Sequence, residues 1–216
     1  VQWWEEPAQA TLCSRLQAKG NLETMAKEPT SVSWNFDDGT DVQIRPVTGD
    51  DKDLLLAGFD KLSPRTRYLR FMSPTESLGR RDLAYLTEVD FVDHVAWGVT
   101  ADGEPVALGR WVRLKDQPRR ADVAVTVSDS FQGKGIGTLL IKVLADSARR
   151  RDVEELTFDV LSENIPMLGL LEKLGATLSE ERPVVTATLK VDDVEAPEKR
   201  EQFEALASRA QAEFPA

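Results

Sequence analysis

From Val32 onward apolar and polar residues alternate: Val32, Trp34 and Phe36, then Val42, Ile44 and Pro46 beyond Asp38-Gly39. Period two on both sides of an Asp-Gly pair predicts a β-hairpin. The period lengthens in Leu54 to Leu62, which follows Asp50 and Asp51; acidic residues at the positive end mark a helix start. Ser63-Pro64 opens a second helix, Ser as N-cap and Pro in the first turn. It carries Arg65, Arg67 and Arg70 among Tyr68, Leu69 and Phe71. Such a basic face reads as solvated with packed stems, or as the flank of a binding cleft. A third helix is predicted over Arg80 to Thr87. Strands follow at Val95 to Thr100 and Glu104 to Leu114, joined by the turn Ala101-Asp102-Gly103, and at Ala121 to Val127. Glycine-rich residues 133 to 137 lead into a helix to about Arg151, with Ile136, Leu139, Leu140, Val143, Leu144 and Ser147 on one stripe. A strand at Glu155 to Leu161 precedes a short helix capped by Asn164, with Pro166 near its start and Gly175 beyond its end. A strand at Val184 to Val191 and an acidic helix over roughly Pro197 to Ala212 complete the pattern.

These elements predict one mixed α/β domain over residues 32–191, with an N-terminal extension at 1–31 and an acidic C-terminal tail at 192–216. The extension lacks a sustained period; Trp3 and Trp4 read as packing anchors beside a short helix around Ala8 to Gln17. The tail holds seven acidic and three basic residues and reads as a solvated helix, with a lid or dimer arm as the alternative. Hydrophobic residues at 41% and charged residues at 30% exclude wholesale disorder. The longest apolar runs, such as Leu54 to Phe59, fall far short of the roughly 18 residues that suggest a membrane span. Glu5 and Glu6 stand where a secretory signal needs positive charge, so a soluble cytoplasmic protein is expected. Lys and Arg total 27 against 37 Asp and Glu, a net charge of −10. That balance argues against nucleic-acid binding and suits cationic partners such as amines, although it also simply aids solubility. A single cysteine, Cys13, and a single histidine, His94, make a disulfide or a Cys/His metal site poor expectations.

The chemically informative run is Phe131-Gln132-Gly133-Lys134-Gly135-Ile136-Gly137-Thr138, between a β-branched strand and an amphipathic helix. Three glycines in five residues let backbone approach a ligand closely. The free N–H groups and positive end of a helix follow at once, which makes an anion site suited to a phosphate or pyrophosphate. The glycines alternate, so the dinucleotide fingerprint G-x-G-x-x-G is not met, and no Gly-Lys-Ser/Thr completes a Walker A loop. On these residues alone, a glycine-rich turn without a ligand stays open.

The motif Gln-x-x-Gly-x-Gly, met by Gln132, Gly135 and Gly137, resembles the acetyl-CoA pyrophosphate loop of the GCN5-related N-acetyltransferases (GNAT). Residues 121–127 resemble the strand before that loop, and Ser162-Glu163-Asn164 with Leu171-Glu172-Lys173-Leu174-Gly175 resembles the following strand exit and helix. Asp38-Gly39, Ile44-Arg45-Pro46, Leu62-Ser63-Pro64, Tyr68-Leu69-Arg70-Phe71 and His94-Val95-Ala96 are similar to segments of bacterial Pat-type protein lysine acetyltransferases, a likeness covering about residues 32–191. It implies a central, mostly antiparallel sheet flanked by helices, splayed between the strands ending near Val127 and Leu161. It implies acetyl-CoA as cosubstrate and an amine acceptor, most of all a protein lysine. Backbone of Val125, Thr126 and Val127 is placed against the pantetheine amides. N–H groups of Gly133, Lys134, Gly135, Ile136, Gly137 and Thr138 fall on the pyrophosphate, with Gln132 bracing the loop and Lys134 adding positive charge. Asn164 would contact the pantetheine arm, and doubles as an N-cap.

A lysine amine has a pKa near 10.4, so about one in a few thousand is neutral at pH 7, a handicap of roughly 4–5 kcal/mol. A carboxylate near the thioester relieves it by taking the proton. The resemblance assigns that role to Asp122, where Pat-type enzymes usually carry Glu. Many family members place a Tyr general acid where Leu171 stands; a thiolate with a pKa near 8.5 is a tolerable leaving group without it. His94 reads as a packed structural residue rather than a proton shuttle. Cys13 lies away from every motif, so direct amine attack in a ternary complex is expected rather than an acyl-cysteine. The alternatives are a small-molecule amine acetyltransferase and an acyl-CoA-binding regulatory module that has lost catalysis. No cyclic-nucleotide-binding domain fits within 1–31 or 192–216, so nucleotide regulation would require further chain.

Overall fold

A computed structural model describes residues 30–181 and 183–213; the predicted extension, with Trp3, Trp4, Cys13 and the helix at Ala8 to Gln17, lies outside them. The alternation after Val32 forms β1 (Val32–Asn35) and β2 (Asp41–Pro46), closed by a turn with Gly39 at φ +82°. Three helices follow, α1 (Lys52–Asp60), α2 (Pro64–Phe71) and α3 (Arg80–Thr87). Then come β3 (His94–Ala101), β4 (Glu104–Leu114), β5 (Gln117–Val127), α4 (Ile136–Arg149), β6 (Glu155–Leu161), α5 (Ile165–Lys173), β7 (Thr177–Glu181), β8 (Val184–Lys190) and α6 (Arg200–Glu213). The eight strands form one sheet in the order β1-β2-β3-β4-β5-β6-β8-β7, antiparallel everywhere except between β5 and β6. This is the mixed α/β, mostly antiparallel architecture that the sequence predicted.

The β5–β6 contact shapes the molecule. Its parallel ladder holds only Arg120–Asp122 against Glu155–Thr157. β5 stays paired with β4 as far as Val127, and β6 with β8 as far as Leu161. Beyond Asp122 the two strands part, and among the described residues the β5 edge facing β6 has no strand partner.

Alternation along the strands sorts the side chains onto two faces. Trp111 and Val123, register partners, are buried toward α4, and the Trp111 indole donates to Ser147 Oγ on that helix at 2.8 Å. Arg110 and Ala124, also partners, take the other face. There α2 is held by Ser63, which caps it by accepting from Thr66 N, and by Arg67, whose guanidinium lies 4.3 Å from the Phe59 ring centroid.

Two expectations need correction. β7 was not predicted: it is a short outer strand, mostly polar, with Leu178 packed on the core. The C-terminal segment is more than a solvated helix. α6 buries Phe203, Leu206, Ala207 and Ala210 because its apolar residues share one stripe, and Phe203 meets Trp97 edge-on at 5.4 Å.

Candidate active site

A cleft of about 690 Å³ opens where β5 and β6 part. The glycine loop closes one end. Gly133 and Gly135 have φ of +76° and +91°, a left-handed conformation that residues with a Cβ resist. A Cβ on Gly135 would lie 3.2 Å from the Phe36 ring. α4 starts immediately afterwards with Gly135 as N-cap, so its first N–H groups face the cleft without helical acceptors. Gln132 Nε2 donates to the carbonyl of Val127 at 3.1 Å, tying loop to strand.

The cleft is lined by Val125, Thr126, Val127, Gln132, Gly133, Gly135, Ile136, Gly137, Thr138 and Asn164. Asn164 also caps α5, its Oδ1 accepting from Met167 N at 3.3 Å. Lys134 stands apart from this set. Its ammonium binds Asp38 Oδ2 at 2.7 Å and Thr40 Oγ1 at 3.1 Å, in the β1–β2 turn. That hydrogen bond, with those from Thr40, holds the Asp38 carboxyl down at about 2. The positive charge expected of Lys134 is thus paired with Asp38, and Lys134 fastens the loop to the hairpin.

Asp122 lies at the other end, at the last register pair before the strands separate. Burial raises its pKa; Arg110 opposes this, Asp159 reinforces it and Arg70 opposes it. Arg70 is itself pushed down to about 10, by burial and then by the charge of Arg110, against the pull of Asp122 and Tyr85. His94 sits behind this group, its ring 5.3 Å from Tyr85 and its Nε2 buried without a hydrogen-bond partner. Burial first, and Arg110 second, lower its pKa to about 4, so it is neutral at physiological pH. Leu171 is fully buried in the core.

Two features escaped the sequence. Asp129 accepts from Ser63 N at 3.0 Å, Ser63 Oγ at 2.7 Å and Thr66 Oγ1 at 2.8 Å, docking the start of α2 over the end of β5. The pairing of Arg70 with Arg110 beside Asp122 was equally invisible, since 40 residues separate them. Among the described residues no group of three or more His, Cys, Asp or Glu converges to hold a metal ion, and no helix is long and apolar enough to cross a membrane.

A glycine loop feeding a helix, a strand pair that separates beside it, and a half-buried carboxylate at the parting point define an acyltransferase cleft. Residues 65–176 match the acetyltransferase (GNAT) family. The chain is 37% identical over 158 residues to acetyltransferase Pat of Mycolicibacterium smegmatis, covering 70% of this chain and 46% of that protein. The GNAT domain of the Streptomyces lividans protein PAT superposes with a TM-score of 0.71 at 30% identity, over 74% of this chain and 96% of that one. The Salmonella typhimurium protein yncA, solved with its cofactor acetyl-CoA, shares the fold at 16% identity and a TM-score of 0.58, over 73% and 98%. The chain belongs to the GNAT acetyltransferase family. It spans less than half the length of the mycobacterial Pat that it matches.

Proposed function

We propose that the chain transfers an acetyl group from acetyl-CoA to an amine, with a protein lysine as acceptor and Asp122 as general base. The observation that carries this reading is the alignment, in one cleft, of a glycine loop at a helix start, an unpaired strand edge and a half-buried carboxylate with a raised pKa. The helix start and the N–H groups of the loop suit the pyrophosphate. The β5 edge offers amide donors and acceptors for the pantetheine, as a further strand would. The same edge supplies donors to a thioester oxygen as negative charge develops on it.

In the reaction the neutral amine attacks the thioester carbonyl and forms the new C–N bond. Asp122 accepts the ammonium proton as the tetrahedral intermediate forms or collapses. The C–S bond breaks and CoA leaves as its thiolate. With Leu171 buried, α5 offers no acid there, and the thiolate leaves unassisted or takes the proton back from Asp122.

The test is radiolabelled acetyl transfer from acetyl-CoA to a cell lysate and, in parallel, to a panel of small amines, with Asp122→Ala alongside. Discrete labelled proteins that disappear with the variant support the full reading. Label on small amines alone retains the transferase and discards the protein acceptor. Absence of label with acetyl-CoA still binding by calorimetry leaves a binding module.

A further inference from the structure

Arg110 is, among the described residues, the most deeply buried cation, with only 8% of its surface exposed. Among the described residues its Nε and Nη1 are buried without a hydrogen-bond partner, and the carboxylates there leave both Arg110 and Arg70 outside their ion pairs. What each does have is an aromatic neighbour: Arg110 lies 4.6 Å from the Tyr85 ring centroid and Arg70 lies 5.1 Å from that of Phe71. Both line the main cleft, and both also line a side pocket of about 350 Å³ with Ser73, Thr75, Asp82 and Tyr85. Two desolvated guanidinium groups therefore converge where the cleft meets this pocket, held by packing rather than by carboxylates.

Burying a charge without a partner is costly. Asp122 is near enough to feel both arginines, yet neither hydrogen-bonds it. Two like charges also repel a cation, so they handicap an incoming lysine ammonium. Both costs are offset if a second anion arrives with a reactant. A guanidinium presents a planar fork of donors that matches a carboxylate, and aromatic packing fixes its orientation beforehand.

We propose that Arg70 and Arg110 form a carboxylate-binding site at the inner end of the cleft, next to Asp122. The carboxylate is carried either by the acyl chain, as in a dicarboxylic acyl-CoA, or by the acceptor, beside its reacting amine. This rests on the acyl transfer proposed above and specifies which reactants the site selects.

Two comparisons on the wild-type protein locate the source. The first sets malonyl-, succinyl- and glutaryl-CoA against acetyl-CoA by calorimetry. The second sets Nα-acetyl-lysine against its uncharged amide, and peptides with Glu beside Lys against the same peptides with Gln, as acceptors from acetyl-CoA. A preference of about 10- to 100-fold, the span of a hydrogen bond to a charged group, is expected in one comparison. It should collapse in Arg110→Met and in Arg70→Met, and shrink in Arg110→Lys, which keeps the charge without the fork. A preference among acyl-CoAs assigns the site to the acyl chain; one among acceptors assigns it to the amine substrate. No preference in either, with acetyl-CoA bound normally, overturns the carboxylate site and leaves the transferase reading intact. Failure of the wild type to bind acetyl-CoA removes both.

Discussion

Asp122 is one methylene shorter than Glu, and its surroundings decide how much that matters. Misplacement by about 1 Å can cost up to about 100-fold in rate. Asp122→Glu is therefore expected to raise turnover, whereas Asp122→Ala should lower kcat by about 10²- to 10⁴-fold, the usual worth of a positioned base. Because burial raises the Asp122 pKa, the acid limb of the kcat/KM profile should lie above the ordinary carboxylate value of 3.8. A limb at or below that value would remove Asp122 as the base. His94 gives a separate signature in stability. Its pKa is about 4 folded and 6.5 unfolded, so between those values the unfolded chain binds more protons, and stability falls as pH drops through the window. The loss is ~2 kcal/mol, allowing for partial exposure. Thermal melts from pH 7 to pH 4 should show it, and His94→Gln should flatten that part of the curve.

At the scale of the element, the glycine loop works through backbone shape. Gly135 combines a left-handed φ with contact to the Phe36 ring, so Gly135→Ala costs about 1–2 kcal/mol locally. Since the strain falls on the N-cap of α4, acetyl-CoA affinity should drop about 10-fold by calorimetry, and an unchanged Kd would show that the loop does not hold the cofactor. This loop was legible because its chemistry is local: three glycines, a helix start and an N-cap occupy adjacent positions. The hairpin, α4 and the partner strands were legible for the same reason, since period and turn residues lie within each segment. β7 was not, because a short outer strand exposing polar residues carries little alternation. Nor were the Lys134–Asp38 pair, the Asp129 clasp on α2 and the arginine pair around Asp122. Each joins residues tens of positions apart, and no property of one segment announces its partner in another.

At the scale of the whole molecule, α4 has two ends with different tasks. Its N-terminus serves the cleft, while ten residues on, about 15 Å away along the axis, Asp146 holds α6 to the fold. Asp146 is only 4% exposed, and its carboxylate pairs with Arg149, Arg150 and Arg200, each at 3.2 Å. Arg149 reaches onward to the carbonyl of Val194 at 2.9 Å, and Arg150 to Glu201 at 3.1 Å. One buried acid thus organises the approach to the C-terminal helix, and Phe203 locks that helix against Trp97. Removing one member of such a network leaves cations crowded at a partly desolvated spot, at a cost of about 3 kcal/mol. Asp146→Ala should therefore lower Tm by about 6–12 °C for a domain of this size. The glycine loop is braced separately, by Gln132, Phe36 and the Lys134 pair, so acetyl-CoA affinity measured well below the melt should stay within about 2-fold of wild type, a difference of about 0.4 kcal/mol. If affinity falls in step with Tm, the two ends of α4 are coupled, and α6 acts on the cleft rather than only on stability.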